Sequence, residues 1–182
     1  MLVIKSKIEG LLLLEPVLYG DERGYFMESF SERDFEAQTG LKVRFVQDNE
    51  SCSRKGVLRG LHFQKEPYAQ AKLVRVVRGK VLDVAVDIRP ESQTFGKYVA
   101  TELSAENHRQ MFIPKGFAHG YVVLEDDTVF QYKCDEYYHP EAEGGIAWND
   151  PQIAINWGVA ENEVILSEKD KHRPLLNELC EF

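Results

Sequence analysis

The stretch from Lys72 to Ile88 limits the fold more than any other part of the chain. Lys72-Leu-Val-Arg-Val-Val is followed by Arg78-Gly-Lys80 and then by Val81-Leu-Asp-Val-Ala-Val-Asp-Ile88. Leu82, Val84, Val86 and Ile88 alternate with Asp83 and Asp87, the two-residue period of a strand with unlike faces. The pattern predicts a hairpin. A second hairpin is expected where Gly120-Tyr-Val-Val-Leu124 and Thr128-Val-Phe-Gln-Tyr-Lys133 flank the acidic turn Glu125-Asp126-Asp127, with Pro114-Lys-Gly-Phe117 as the turn leading in. If Val123 faces Thr128 across that turn, His119 falls opposite Tyr132 on one face, and a slip of one residue separates them. Short strands between turns predict an all-β sandwich or small barrel. Helix is confined to two peripheral places. Ser31 caps a short helix through Asp34, Phe35 and Glu36 that stops at Gly40, and Ser167-Glu-Lys-Asp170 resembles a capping box before a C-terminal helix.

A length of 182 residues suits a single domain over 1–182, with no linker or repeat dividing it. The net charge of −8 excludes a general nucleic-acid binder, whose affinity depends on a basic surface, so an anionic ligand needs a local cluster of cations. No apolar run approaches membrane-spanning length, and a cytoplasmic protein is expected. Cys52, Cys134 and Cys180 have no metal-type spacing and leave one thiol unpaired even if two join. They read as small, mostly packed side chains in a reducing compartment.

The residues suited to chemistry gather around Arg59-Gly-Leu-His-Phe-Gln64, with Lys72 ten residues beyond His62. An imidazole titrates near neutral pH and a guanidinium suits phosphate oxygens, which points to proton transfer on a phosphorylated small molecule. Gly56 and His62, then Pro114, Gly116 and His119, match part of the two-motif pattern of the cupin barrel. Metal-binding cupins carry His-x-His and a later carboxylate in the first motif. Here Gln64 stands at the second histidine, and Tyr68 and Ala69 occupy the carboxylate region. Two imidazoles alone make a poor site for zinc or iron, so a cupin barrel with no catalytic metal is expected.

A broader resemblance rests on seven fragments in order: Arg59 to Gln64, Gln70-Ala-Lys-Leu73, Asp83-Val-Ala-Val-Asp-Ile-Arg89, Ile113-Pro-Lys-Gly-Phe-Ala-His-Gly120, Tyr132-Lys133, Trp148-Asn-Asp150 and Leu166-Ser-Glu-Lys-Asp170. Together they resemble the dTDP-4-dehydrorhamnose 3,5-epimerase family over nearly the whole chain. The resemblance implies a cupin double-stranded β-helix jelly-roll barrel with short peripheral helices. It also implies a homodimer that needs no cofactor and inverts C3 and C5 of dTDP-4-dehydro-6-deoxy-D-glucose on the way to dTDP-L-rhamnose. The implied base is His62, oriented by Asp170, with Lys72 stabilising the enolate and Tyr132 as proton donor. Arg23 and Arg59 match the diphosphate contacts. Glu28 and Gln47-Asp48-Asn49 match substrate contacts, for thymine and sugar hydroxyls. Tyr138 matches the aromatic that stacks on thymine, Phe26 a second wall, and His119, Glu143 and Lys169 complete the set. The opening segment, 1–8, suits strand exchange between subunits.

Each residue also has a plainer reading. Tyr132 alternates with Phe130 as an ordinary half-buried strand tyrosine does. Asp170 lies where capping carboxylates belong. Lys72 reads as a protective charge at a strand edge, Arg23 as a turn residue and Lys169 as a solvated surface lysine. Spacing alone does not choose between Tyr137 and Tyr138. The competing functions are a mono-epimerase acting at C3 or C5 only, a metal-dependent cupin enzyme, and a non-catalytic nucleotide-sugar binding module.

Overall fold

Apolar and acidic residues alternate over residues 81–88, yet all but the half-buried Leu82 are buried, which requires layers on either side. A computed structural model describes residues 1–179 and supplies those layers. The strands begin with β1 (Leu2–Lys5), β2 (Leu12–Glu15), β3 (Tyr19–Asp21), β4 (Gly24–Phe26), β5 (Gln47–Ser53), β6 (Leu58–Gln64) and β7 (Lys72–Arg78). They continue with β8 (Lys80–Asp87), β9 (Tyr98–Ser104), β10 (Gln110–Ile113), β11 (Phe117–Val123), β12 (Thr128–Cys134) and β13 (Glu143–Gly145). One α-helix, α1 (Glu32–Thr39), lies between β4 and β5.

A six-stranded antiparallel sheet runs β1-β2-β10-β7-β12-β5 and a five-stranded one runs β13-β6-β11-β8-β9. Val74, Val76, Met111 and Phe130 of the first sheet pack with Val81, Ala85, Leu103 and Tyr121 of the second. The outer face of the five-stranded sheet buries Leu58, Val84, Val86 and Val122 under Ile146, Ile153, Trp157 and Leu176 of the C-terminal segment. The outer face of the six-stranded sheet buries Leu12, Leu14, Leu73 and Phe112 under Phe35 of α1. This is the cupin-type jelly roll that the resemblance implies, with its helices outside.

Neither expected hairpin forms. β7 and β8 are joined through Gly79 but belong to different sheets, and so do β11 and β12. Alternation identifies a strand without naming its partner, and at both of these turns the chain crosses to the facing sheet. His119 and Tyr132 are therefore not register partners. Tyr132 pairs with Asn49 and Val74, and His119 with His62 and Ala85.

The α1 caps follow the sequence. Ser31 Oγ accepts from Asp34 N at 3.3 Å, and Gly40 closes the helix at φ +75°, donating to Glu36 O. The C-terminal helix is a correction: Ser167 Oγ accepts from Asp170 N at 3.1 Å, but among the described residues only two short 3-10 turns, Asp170–His172 and Leu176–Glu178, follow. Pro174 lacks a backbone donor and drives Arg173 into the extended region, at φ −75° and ψ +143°, so the turn stops. β1 pairs with β2 and forms one edge of the six-stranded sheet. Cys52 is exposed, contrary to expectation, while Cys134 is buried; Cys180 lies outside the described residues.

Candidate active site

Gly60 and Gly120 let β6 and β11 approach closely: a Cβ on Gly60, at φ +124°, would stand 2.5 Å from Gly120 Cα. The register shifts at this contact, between His119 and Tyr121, and His62 and His119 are direct partners on the two strands. Both line a cavity of about 710 Å³ between the sheets. β5, β7 and β12 contribute Gln47, Asn49, Lys72 and Tyr132, while Arg59, Gln64, Tyr138, Glu143, Lys169 and Asp170 line the remainder.

His62 Nε2 lies 2.5 Å from Asp170 Oδ1, and Asp170 is only 4% exposed. With Nε2–H donated to the carboxylate, Nδ1 keeps its lone pair for a proton. Burial alone would raise the Asp170 carboxyl, but bonds from His62 and Ser167 and the charge of Arg173 hold it below the usual carboxylate range. Burial pushes the Lys72 ammonium below the ordinary lysine range, against the pull of Cys134, Asp83 and Glu143. Burial also raises the Tyr132 phenol to about 12, with Cys134 and Tyr121 adding to the rise and Arg59 opposing it.

Glu143 collects the other end of the cavity. It accepts from Tyr138 Oη at 2.6 Å, from Lys169 Nζ at 2.5 Å and from Arg173. Burial would raise its carboxyl, but these three partners outweigh it and hold Glu143 at about 2. Gln47 Oε1 accepts from Tyr138 N at 3.1 Å, and Gln47 Nε2 donates to Asn49 Oδ1 at 3.1 Å. Arg59 Nη2 donates to Ser53 Oγ at 3.1 Å.

Four expected contacts are not brought to this cavity. Asp48 points to the opposite side of β5 from Gln47 and Asn49 and pairs with Lys133 at 2.9 Å, as strand alternation requires. Arg23 is exposed and bound to Asp21, Phe26 is 69% exposed on β4, and Glu28 lines a separate groove beside α1. Other residues join the site without having been expected there. Asp83, fully buried, holds His119 Nε2 at 2.9 Å, and Tyr121 Oη meets Ser51 Oγ at 2.8 Å. Asp83 alternates with apolar residues and so reads as a solvent-facing position until both faces of β8 are known to be covered. Among the described residues no three His, Cys, Asp or Glu side chains converge as metal ligands do.

Comparison with known proteins gives this geometry its context. A family model described as dTDP-4-dehydrorhamnose 3,5-epimerase matches residues 5–178. The enzyme of that name from Escherichia coli is 56% identical over 179 residues, spanning 98% of this chain and 96% of the relative. The one from Methanothermobacter thermautotrophicus is 54% identical over 174 residues, covering 94% and 93%. The crystal structure of dTDP-6-deoxy-D-glucose-3,5-epimerase from Legionella pneumophila in complex with dTDP-4-keto-L-rhamnose superposes with a TM-score of 0.94 at 54% identity, covering 97% of this chain and 93% of that one.

Proposed function

The chain belongs to the dTDP-4-dehydrorhamnose 3,5-epimerase family, and from that premise we propose how its residues carry the reaction. The activity is that of an isomerase which inverts C3 and C5 of dTDP-4-dehydro-6-deoxy-D-glucose to give dTDP-4-dehydro-L-rhamnose, in dTDP-L-rhamnose biosynthesis. The observation that carries the residue assignments is the 2.5 Å contact of His62 with Asp170 in the same cavity as Lys72 and Tyr132.

Hydrogens on carbons beside the C4 ketone are acidic once the resulting enolate oxygen is stabilised. His62 Nδ1 removes such a proton, and Asp170 supports the imidazolium that forms. Lys72 places its ammonium at the enolate oxygen, where burial strengthens the interaction. Tyr132 then delivers its phenolic proton to the opposite face of the carbon. A phenol held at about 12 is fully protonated at neutral pH and so is loaded as a donor, with Arg59 easing the charge left behind. Each inversion leaves His62 protonated and Tyr132 ionised, and exchange with solvent resets both. His119, held by Asp83, lines the sugar end of the cavity.

Tyr138 stacks on thymine, fixed by Gln47 and Glu143, and Lys169 and Arg59 face the sugar diphosphate. Arg23, Phe26 and Glu28 serve a neighbouring site across a homodimer interface, a reading supported by their position outside this chain's own cavity. The chain works as one domain, and the free Cys52 and Cys134 suit a cytoplasmic setting.

The test is proton exchange in deuterated water. The wild type takes up solvent deuterium at C3 and C5, and His62→Ala takes up none at either carbon. Exchange at the normal rate in that variant removes His62 as the base.

A further inference from the structure

Gln64 occupies the position of the second histidine ligand in metal-binding cupins, and its amide is spent on backbone instead. Its side chain is 6% exposed. Nε2 donates to Tyr68 O at 2.7 Å and to Tyr137 O at 3.1 Å, while Oε1 accepts from His139 N at 2.6 Å. The last two bonds hold the peptide groups on either side of Tyr138. That matters because Tyr138 is 50% exposed, so little packing fixes its ring. The Tyr68 and His139 rings stack at 3.7 Å, closing the two loops that the amide joins. Gln64 is also the Cα partner of Glu143, which receives the Tyr138 hydroxyl. Two residues earlier on β6 comes His62, on the same face of the strand.

We infer that Gln64 is a positioning residue for nucleotide recognition: its amide latches the 137–139 backbone so that Tyr138 presents its ring and hydroxyl to the cavity. The latch rests on the assignment of Tyr138 to the thymine end. A glutamine is the side chain this task selects, because two carbonyls need two N–H donors while one backbone N–H needs an acceptor at the same reach. Glutamate retains the acceptor but sets an oxygen against two carbonyls. Asparagine is one methylene short. A buried amide with three of its bonds made also fixes geometry more firmly than an exposed loop does alone. One strand thus carries both the proposed base and the anchor of the nucleotide loop.

The test is dTDP affinity, measured by titration calorimetry on the wild type, Gln64→Ala, Gln64→Glu and Tyr138→Ala, alongside KM and kcat. Removing the latch weakens dTDP on the order of tenfold in Gln64→Ala and further in Gln64→Glu, as expected for lost buried hydrogen bonds. KM rises in parallel, and kcat falls by a smaller factor. A general loss of fold lowers kcat and thermal stability without this selectivity, and Gln64→Glu preserves side-chain volume if the alanine variant does not fold. Unchanged dTDP affinity in both Gln64 variants, with Tyr138→Ala weakened, overturns the latch alone. Unchanged affinity in Tyr138→Ala overturns the thymine assignment and the latch with it.

Discussion

His62 and His119 are direct cross-strand partners, yet each ring is held by its own buried carboxylate, Asp170 for the first and Asp83 for the second. The two pairs are not equivalent. Asp170 comes from the C-terminal segment and bonds a ring that reaches the cavity with 34% of its side chain exposed, whereas the His119 side chain is 8% exposed. Proton abstraction is therefore assigned to the first pair. Asp170→Asn is expected to lower kcat by about 10³-fold, because the amide no longer selects the ring tautomer or supports the imidazolium. Asp83→Asn lowers it less. Steady-state kinetics of the two variants side by side check the order, and a larger loss in Asp83→Asn reverses the assignment.

Tyr132 tests the donor step separately from the base. Its hydroxyl is the only group that Tyr132→Phe removes, so enolate formation at His62 continues. Product inversion is expected to fall by about 10²–10⁴-fold while deuterium uptake into recovered substrate persists. NMR of the recovered sugar reports both quantities. Equal loss of uptake and inversion assigns Tyr132 to the first proton transfer instead.

Strand identity is legible in the sequence because alternation is a local property: β7, β8 and β12 lie where the pattern places them, and β11 starts three residues early, at Phe117 of the expected lead-in turn. Partner choice is not legible. Gly79 alone separates β7 from β8, and the pattern gives no sign that a glycine turn leads across the sandwich rather than back along one sheet. The same gap hides Asp83, since an acid alternating with valines looks solvated until Trp157 and Ile153 are seen to cover the apolar side of its sheet. Ser167 Oγ does accept from Asp170 N, but the Asp170 carboxylate goes to His62 instead of closing a capping box, and Pro174 sets how far the turn runs. At the nucleotide end, spacing leaves Tyr137 and Tyr138 equal; the fold turns Tyr138 to the cavity and gives its hydroxyl to Glu143.

The Lys72 ammonium, proposed above to hold the enolate oxygen, opposes stability. Its ammonium has no ion-pair partner among the described residues, and burial lowers its pKa from the usual lysine value of 10.5. The unfolded chain therefore binds this proton more readily than the folded one. Between the lowered value and 10.5, stability rises with pH as the folded state ceases to hold a buried charge. Lys72→Met is expected to raise unfolding stability near neutral pH by about 1–2 kcal/mol, to remove that rise, and to abolish turnover. Urea unfolding at pH 7 and pH 9 (roughly the span below the free lysine pKa) checks it. A destabilised variant shows that the ammonium is better solvated than its burial implies.

Glu143 carries the opposite sign. Its carboxyl lies at about 2 in the folded chain against 4.5 when free, so its bonds to Tyr138, Lys169 and Arg173 contribute in full above 4.5. That contribution is lost as pH falls from 4.5 towards 2, where the folded carboxylate finally protonates. Glu143→Gln is therefore expected to be less stable than the wild type at pH 7 and to differ from it less at pH 3 (roughly midway through the titration). The same variant frees the Tyr138 hydroxyl and takes from Arg173, whose side chain is 11% exposed, its nearest carboxylate, leaving Asp170 at 3.9 Å. A buried cation that loses its hydrogen-bonded counter-charge is costly, so the loss at pH 7 exceeds that of an exposed ion pair, about 1 kcal/mol or less. Denaturant midpoints of the two proteins across this pH range give the comparison. A constant difference between them assigns the stabilisation to packing rather than to the charge on Glu143.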